Sequence, residues 1–415
     1  LLFSTCRTKH LFLSQDHSQY EYVYDSQENN NMKLLTTRYH PSKGWNKALD
    51  TTLDSANTLL MIFGCSNSEN LAQGFDDLRA AFPQSVWIGC STSGEIYGEA
   101  LTDDTLVVAV MQFTRTTLRL ASCAVEQPEH TYDAGKLLAE QLYTPDLKAV
   151  FVLSDGLHVN GSELAKGLSA NLPLKVVVTG GLAGDGSAFQ DTWVITDHAP
   201  HSKQVVAVGL YGNHVGVAYG SHGGWLASGS GHEVTRSVGN VLYSLDNQPA
   251  LAIYKEHLGE DAEGLPKTGL LYPLAIRTDL EEEDMVVRTI LAVNEADQSI
   301  TFAGDIPQGT FAQWMRADPN RLVHAAIETS EQLDLRRFVD GSLLTVAISC
   351  VGRRLVLAKR TKEELEAVLF GIPKGGELVG FYSYGELSPL NNGRCDLHNQ
   401  TMTLTSFWEL RDRGV

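Results

Sequence analysis

The sequence is poor in cysteine pairs, in basic residues and in long apolar runs. Its six cysteines (Cys6, Cys65, Cys90, Cys123, Cys350, Cys395) are scattered over 415 residues, and no two form Cys-x-x-Cys. That spacing excludes a disulfide framework or a zinc knuckle and leads us to expect a reduced, cytoplasmic setting. Lys and Arg number 32 against 50 Asp and Glu, a net charge of −18. Phosphate backbones are bound by clustered cations, so a nucleic-acid partner is not expected. An anionic membrane surface is disfavoured for the same reason. No apolar run approaches the roughly 20 residues that cross a bilayer, so no membrane insertion is expected.

Several enzyme signatures are missing as well. There is no His-Glu-x-x-His. Gly89-Cys90-Ser91-Thr92-Ser93 ends in serine where a nucleophile elbow has glycine. Gly180-Gly181-Leu182-Ala183-Gly184 lacks the Gly-Lys-Ser/Thr of a phosphate loop. Catalysis by Cys90 or Ser91, as a hydrolase or transferase, is the alternative the residues leave open. Asp155 and His158 at a strand end are a conceivable base pair or a solvated loop. His214, His222, His232 and His324 stand singly.

What is present is a short pattern used three times. Gly89–Glu95, Thr179–Asp185 and Gly380–Glu386 each run from a small residue through four others to a glycine and an acid. An apolar run precedes each copy and another follows it. Glycine allows a close backbone approach, and the acid can brace the turn or face a ligand. Three such turns gathering into one pocket would place Ser91, Thr92, Glu95, Asp185, Tyr384, Glu386 and His398 around it.

The periodicity supports the same repeat. Thr58–Phe63 reads as a strand, Ser66 and Glu69 have capping-box spacing for a helix through Phe82, and Val86–Gly89 is a second strand. Ala149–Leu153, Ser162–Asn171 and Leu174–Thr179 repeat that order about 90 residues later. Leu343–Ile348, Lys362–Phe370 and Glu377–Tyr382 repeat it again. Val241–Leu258 reads as two short helices broken near Pro249, and Met285–Asn294 with Ser299–Phe302 as a hairpin. The Gly/Ser-rich stretch Gly220–Gly231 is the best domain boundary. The expected fold is α/β (mixed α+β), with mixed sheets flanked by helices and internally repeated strand–helix–strand–turn–strand units in two domains, 32–230 and 231–415. Residues 1–31 are polar and precede Met32-Lys33-Leu34, which resembles a natural start. They are expected to be a disordered or misannotated extension.

Gly89–Glu95, Thr179–Phe189, Val205–Gly212, Asn240–Gly259, Phe302–Gly309 and Gly380–Phe407, with His398-Asn399-Gln400-Thr401, together resemble the paired FIST N and FIST C domains of signal-transduction proteins. That resemblance implies a non-enzymatic intracellular sensor of a small ligand. Similar stand-alone proteins in bacteria bind haem and respond to nitric oxide through a histidine kinase, and other relatives are thought to sense amino-acid-like molecules. Haem is therefore a possible cofactor, with His398 the candidate axial ligand. A sensor histidine kinase acting in trans is the expected partner.

Overall fold

The computed structural model describes residues 32–279 and 285–410, and the expectation for residues 1–31 lies outside them. Long apolar runs form the central strands, because strands buried on both faces need no polar alternation. The first repeat contains β1 (Lys33–His40), β2 (Thr58–Gly64), α1 (Ala72–Ala81) and β3 (Val86–Ser91), then a short hairpin β4 (Glu95–Tyr97) and β5 (Ala100–Thr102), and β6 (Leu106–Gln112). The second has β7 (Thr117–Ala124), α2 (Thr131–Leu142), β8 (Leu147–Ser154), α3 (Gly161–Asn171), β9 (Val177–Leu182), the hairpin β10 (Val194–Thr196) and β11 (Ala199–His201), and β12 (Gln204–Tyr211).

The third repeat opens with β13 (Val215–His222) and is then interrupted. An eight-stranded sheet drawn from residues 226–316 is inserted there, with α4 (Ala250–Leu258) packed on it and α5 (Pro319–Glu331) following. The repeat resumes with β14 (Leu344–Cys350), α6 (Val351–Leu357), α7 (Thr361–Gly371), β15 (Glu377–Ser383), the hairpin β16 (Gly385–Pro389) and β17 (Cys395–His398), and β18 (Met402–Glu409).

Each repeat gives its hairpin away. The sheet orders are β11-β10-β3-β2-β6-β1, β17-β16-β9-β8-β12-β7 and β13-β18-β14-β15-β4-β5. The first repeat's hairpin therefore extends the third sheet, the second's extends the first, and the third's extends the second. The exchange is cyclic and closes on itself. The strand ends that feed the hairpins meet in a ring of backbone bonds: Ser93 N–H to Tyr382 O (2.7 Å), Gly184 N–H to Ser91 O (3.0 Å) and Tyr384 N–H to Leu182 O (3.2 Å). Beneath it one apolar cluster takes side chains from all three sheets, Phe63 against Phe381 and Phe151 against Phe407 among them.

Register corrects the alignment of the three turns. Gly89, Gly180 and Gly380 face Ile62, Val152 and Ala347 on the parallel neighbour. A Cβ on them would lie 2.3, 1.8 and 1.8 Å from the facing carbonyl oxygens. The second copy thus starts at Gly180, not Thr179, and Asp185 falls where Gly94 and Gly385 stand.

Other expectations are modified locally. The helix expected from Ser66 begins as a 3-10 turn at Ser68 capped by the Asn67 side chain, and α1 follows at Ala72. Val241–Leu245 is a strand, not a helix; Asp246 and Asn247 both have positive φ (48° and 62°), the signature of a tight hairpin turn. Around Gly220–Gly231, the stretch read as the domain boundary, residues 215–222 and 226–238 are strands, and Gly224 lies against α5. Behind β15, Arg353 and Glu364 are both fully buried. The guanidinium grips Glu364 Oε1 from Nε and Nη2 (2.8 and 2.6 Å) and donates to Leu322 O, while Tyr382 donates its hydroxyl to Glu364 (2.6 Å). This pair locks α5, α6 and α7 to the third sheet.

The facing carbonyls cannot rotate away from a new side chain. Gly180→Ala or Gly380→Ala is expected to destabilise the chain by at least ~2 kcal/mol, read as a lowered urea midpoint. An unchanged midpoint would refute this packing of the strands.

Candidate functional site

The three turns do converge, but their acids do different work. Glu95 and Glu386 are almost wholly buried. Glu95 accepts Thr92 Oγ1 (2.5 Å) at one oxygen and Thr105 N–H (3.1 Å) and Oγ1 (2.7 Å) at the other. Glu386 accepts Ser383 Oγ (2.5 Å) and, at its second oxygen, Thr401 N–H (3.2 Å) and Oγ1 (2.7 Å). Each glutamate is a clasp that pins the hairpin's entry to its exit. In the second repeat Asp155, from the end of β8, braces the corresponding bend by accepting Lys203 N–H (2.8 Å), along with Leu157 and His158 N–H.

Asp185 lies further out. It accepts the N–H groups of Phe189 (2.8 Å), Gln190 (2.7 Å) and Asp191 (2.9 Å) and the hydroxyl of Tyr384. Burial opposes its charge, but the Tyr384 hydroxyl and these three donors outweigh it and hold the carboxyl below its usual range. Tyr384 stacks on Phe189 with ring centroids 4.6 Å apart. Ser91 is buried, and its Oγ accepts Trp193 N–H (3.1 Å). Cys90 packs in the central apolar cluster, where burial pushes its thiol well up. A buried, protonated thiol and a hydroxyl holding a bend are not activated nucleophiles.

A cavity of about 770 Å³ opens beside the third repeat. Its walls come from β13 and the residues after it, from α3, from the inserted sheet and from the β16–β17 hairpin. Of the seven residues singled out in the sequence, His398 reaches it; Thr401, next to that group, does too.

Comparison of the three hairpin exits shows why the cavity is here. Asp104, Lys203 and Gln400 occupy equivalent positions and share a left-handed φ of 59°, 54° and 61°. Asp103 and Asp104 are exposed, as is Ser202. In the third repeat the inserted sheet roofs the bend: Asn399 and Gln400 are wholly buried, and His398 and Thr401 nearly so. Gln400 Nε2 donates to Leu270 O (3.0 Å), and Trp225 Nε1 donates to Gln400 O (2.8 Å). Among the described residues, both amide atoms of Asn399, Gln400 Oε1 and Ser388 Oγ are buried without a hydrogen-bond partner. Unpartnered buried polar atoms are costly, and these belong to residues next to, but not in, the cavity wall formed by His398 and Thr401.

Cations converge on the same place. Lys166 bridges Glu163 (2.7 Å) and Asp305 (2.6 Å). Arg288, on the inserted strand Val286–Arg288, is only 4% exposed and donates to Leu397 O (2.8 Å) and Asp305 O (3.1 Å). His398 holds Ser388 O through Nε2 (3.0 Å); burial, against the pull of Asp396, pushes its pKa down. Lys166, Asp305, Arg288 and Trp225 carry no sequence signal, because they join the site from different repeats and from the insertion. No group of three or more His, Cys, Asp or Glu suited to a metal ion occurs among the described residues. No helix among them is long and apolar enough to cross a membrane.

Burial raises the pKa of Glu95 to about 7 and of Glu386 to about 8, from 4.5, more than their hydrogen bonds lower it. The folded chain therefore retains protons that the unfolded chain releases above pH 4.5, so this contribution to stability is full below that pH and lost as pH rises through about 7 to 8. Urea midpoints are expected to decline across that window. Glu95→Gln and Glu386→Gln should each flatten the decline, since an amide can donate to the Thr92 or Ser383 hydroxyl. A wild-type profile flat from pH 5 to 8 would contradict this assignment.

Comparison with known proteins agrees with the architecture. The chain matches the FIST N domain over residues 58–248 and the FIST C domain over residues 250–389. It is also 23% identical over 375 residues to an uncharacterised protein of Methanocaldococcus jannaschii, covering 80% of this chain and 70% of that one. With both domain matches falling on the interlocked repeats and the inserted sheet, this chain belongs to the FIST family, whose domains are small-ligand sensors in signal transduction.

Proposed function

We propose that the effector binds in the cavity between the third repeat and the inserted sheet, and that the chain relays its occupancy to a separate signalling protein such as a histidine kinase. The observation that carries this reading is the broken symmetry. Three equivalent bends were built, and the one that is roofed holds unpartnered polar atoms beside a cavity of ligand size. Glu386 then offers a route outward. Thr401 lines the cavity and holds Glu386, which holds Ser383, next to the Tyr384 N–H of the central ring. A ligand that favours one arrangement of that clasp shifts the population toward it, and a tenfold preference supplies about 1.4 kcal/mol.

The residues present fit a small polar molecule, such as an amino-acid-like one, better than a haem. A tetrapyrrole needs two broad apolar faces. His398 already spends Nε2 on Ser388 O, and the walls bring Lys166, Arg288, Asp305 and Asp396 toward it.

A thermal-unfolding screen with metabolites of mixed charge tests the proposal, using wild type and Ser221→Trp, which fills the cavity from β13. At least one compound is expected to raise the wild-type midpoint by several degrees, as about 2.7 kcal/mol at a hundredfold excess over Kd requires, and to leave the variant unmoved. Equal shifts in both proteins, or none across the screen, would reject the cavity as the sensing site.

A further inference from the structure

The charge around this cavity departs from the rest of the chain. The sequence carries a net charge of −18. The described lining residues include the cations Lys166, Arg288 and Arg321 together with Asp305 and Asp396. Cations in a concave wall raise the local potential and bear on ligand charge.

Arg288 sharpens the point. Its side chain is 4% exposed, yet among the described residues no carboxylate is within hydrogen-bond distance of it. Nε and Nη1 are spent on the neutral carbonyls of Asp305, Val287 and Leu397. Nη2 has Asp396 Oδ1 at 3.7 Å, beyond a hydrogen bond. Asp396 Oδ1 already accepts Leu397 N–H (2.7 Å), and Asp305 is occupied by Lys166 and Asn160. Burial lowers the Arg288 pKa, against the pull of Asp396 and Asp305, so the local acids do not fully compensate its charge. A buried guanidinium whose nearest counter-charge stands at 3.7 Å without a hydrogen bond is only partly compensated, and an oxyanion that meets Nη2 would add the missing bond.

We infer that the cavity takes a small oxyanion, a carboxylate or a phosphate, whose oxygens complete the Arg288 fork at Nη2. The anionic group then sits at the foot of the β16–β17 hairpin, where His398 and Thr401 line the same cavity. This assignment rests on the cavity being the sensing site and adds its ligand class.

Calorimetric titration and thermal unfolding of the full chain at constant ionic strength test it, with sodium succinate, inorganic phosphate, the neutral isostere succinamide, and choline chloride as probes. Succinate or phosphate is expected to bind saturably and raise the midpoint. Which of the two does so separates a carboxylate site from a phosphate site. Succinamide and choline should bind at least tenfold more weakly, and Arg288→Met should weaken the anion at least tenfold. If Arg288→Met fails to fold, the contrast between succinate or phosphate and the uncharged or cationic probes decides in wild type alone. Equal binding of succinamide, preferred binding of choline, or no saturable anion binding at millimolar concentration would overturn the assignment. Binding of a neutral or cationic compound that disappears in Ser221→Trp would do so while leaving the sensor reading intact.

Discussion

Three backbone hydrogen bonds, from Ser93, Gly184 and Tyr384, each reach into a different repeat, and the remaining architecture follows from them. They form because each central strand runs past its own sheet and turns into a hairpin that has no partner at home. A two-stranded hairpin is marginal in water, so it must complete a neighbour's edge. Closing the exchange over three repeats removes one open edge from each sheet. The glycines at 89, 180 and 380 permit the tight strand contact that the ring needs, and the glutamate clasps fix the entry and exit of two of the three hairpins.

The symmetry fails at the third hairpin exit. The first hairpin exit is exposed and held from outside, with Arg354 gripping Asp103 through two bonds of 2.9 and 2.8 Å. The second is exposed and braced by Asp155. At the third, the inserted sheet covers the bend and brings Arg288 and Asp305 against Leu397, Ser162 and Lys166. Polar residues that would otherwise face water are thus covered, and His398 and Thr401 among them line an open cavity. The same Glu–Thr clasp formed at Glu95 and Glu386 touches the cavity only at Glu386, through Thr401.

Much of the fold was legible because burial on both faces leaves continuous apolar runs. Thr58–Phe63, Ala149–Leu153 and Leu343–Ile348 match strands β2, β8 and β14 closely. The hairpins of three to five residues were not, since their partners lie up to about 280 residues away and local pattern carries no trace of such pairing. Val241–Leu245 was obscured for a different reason: its identity depends on the Asp246-Asn247 turn, not on its own spacing. The turns flagged as a site do gather, but sequence could not distinguish an acid that braces backbone from one that faces a cavity. That distinction needs the insertion, whose contribution at Arg288 has no local motif.

The cyclic exchange also governs the order in which the chain can mature. The hairpin at residues 95–102 finds its docking strand only at 377–383, and β9 waits for 385–389. A nascent chain leaving the ribosome therefore carries an unfinished first half until residues 377–389 have been made. Such long-range closure slows folding and leaves strand edges exposed in the meantime. Neither FIST half can be expected to behave as an autonomous piece, because each holds strands that complete the other.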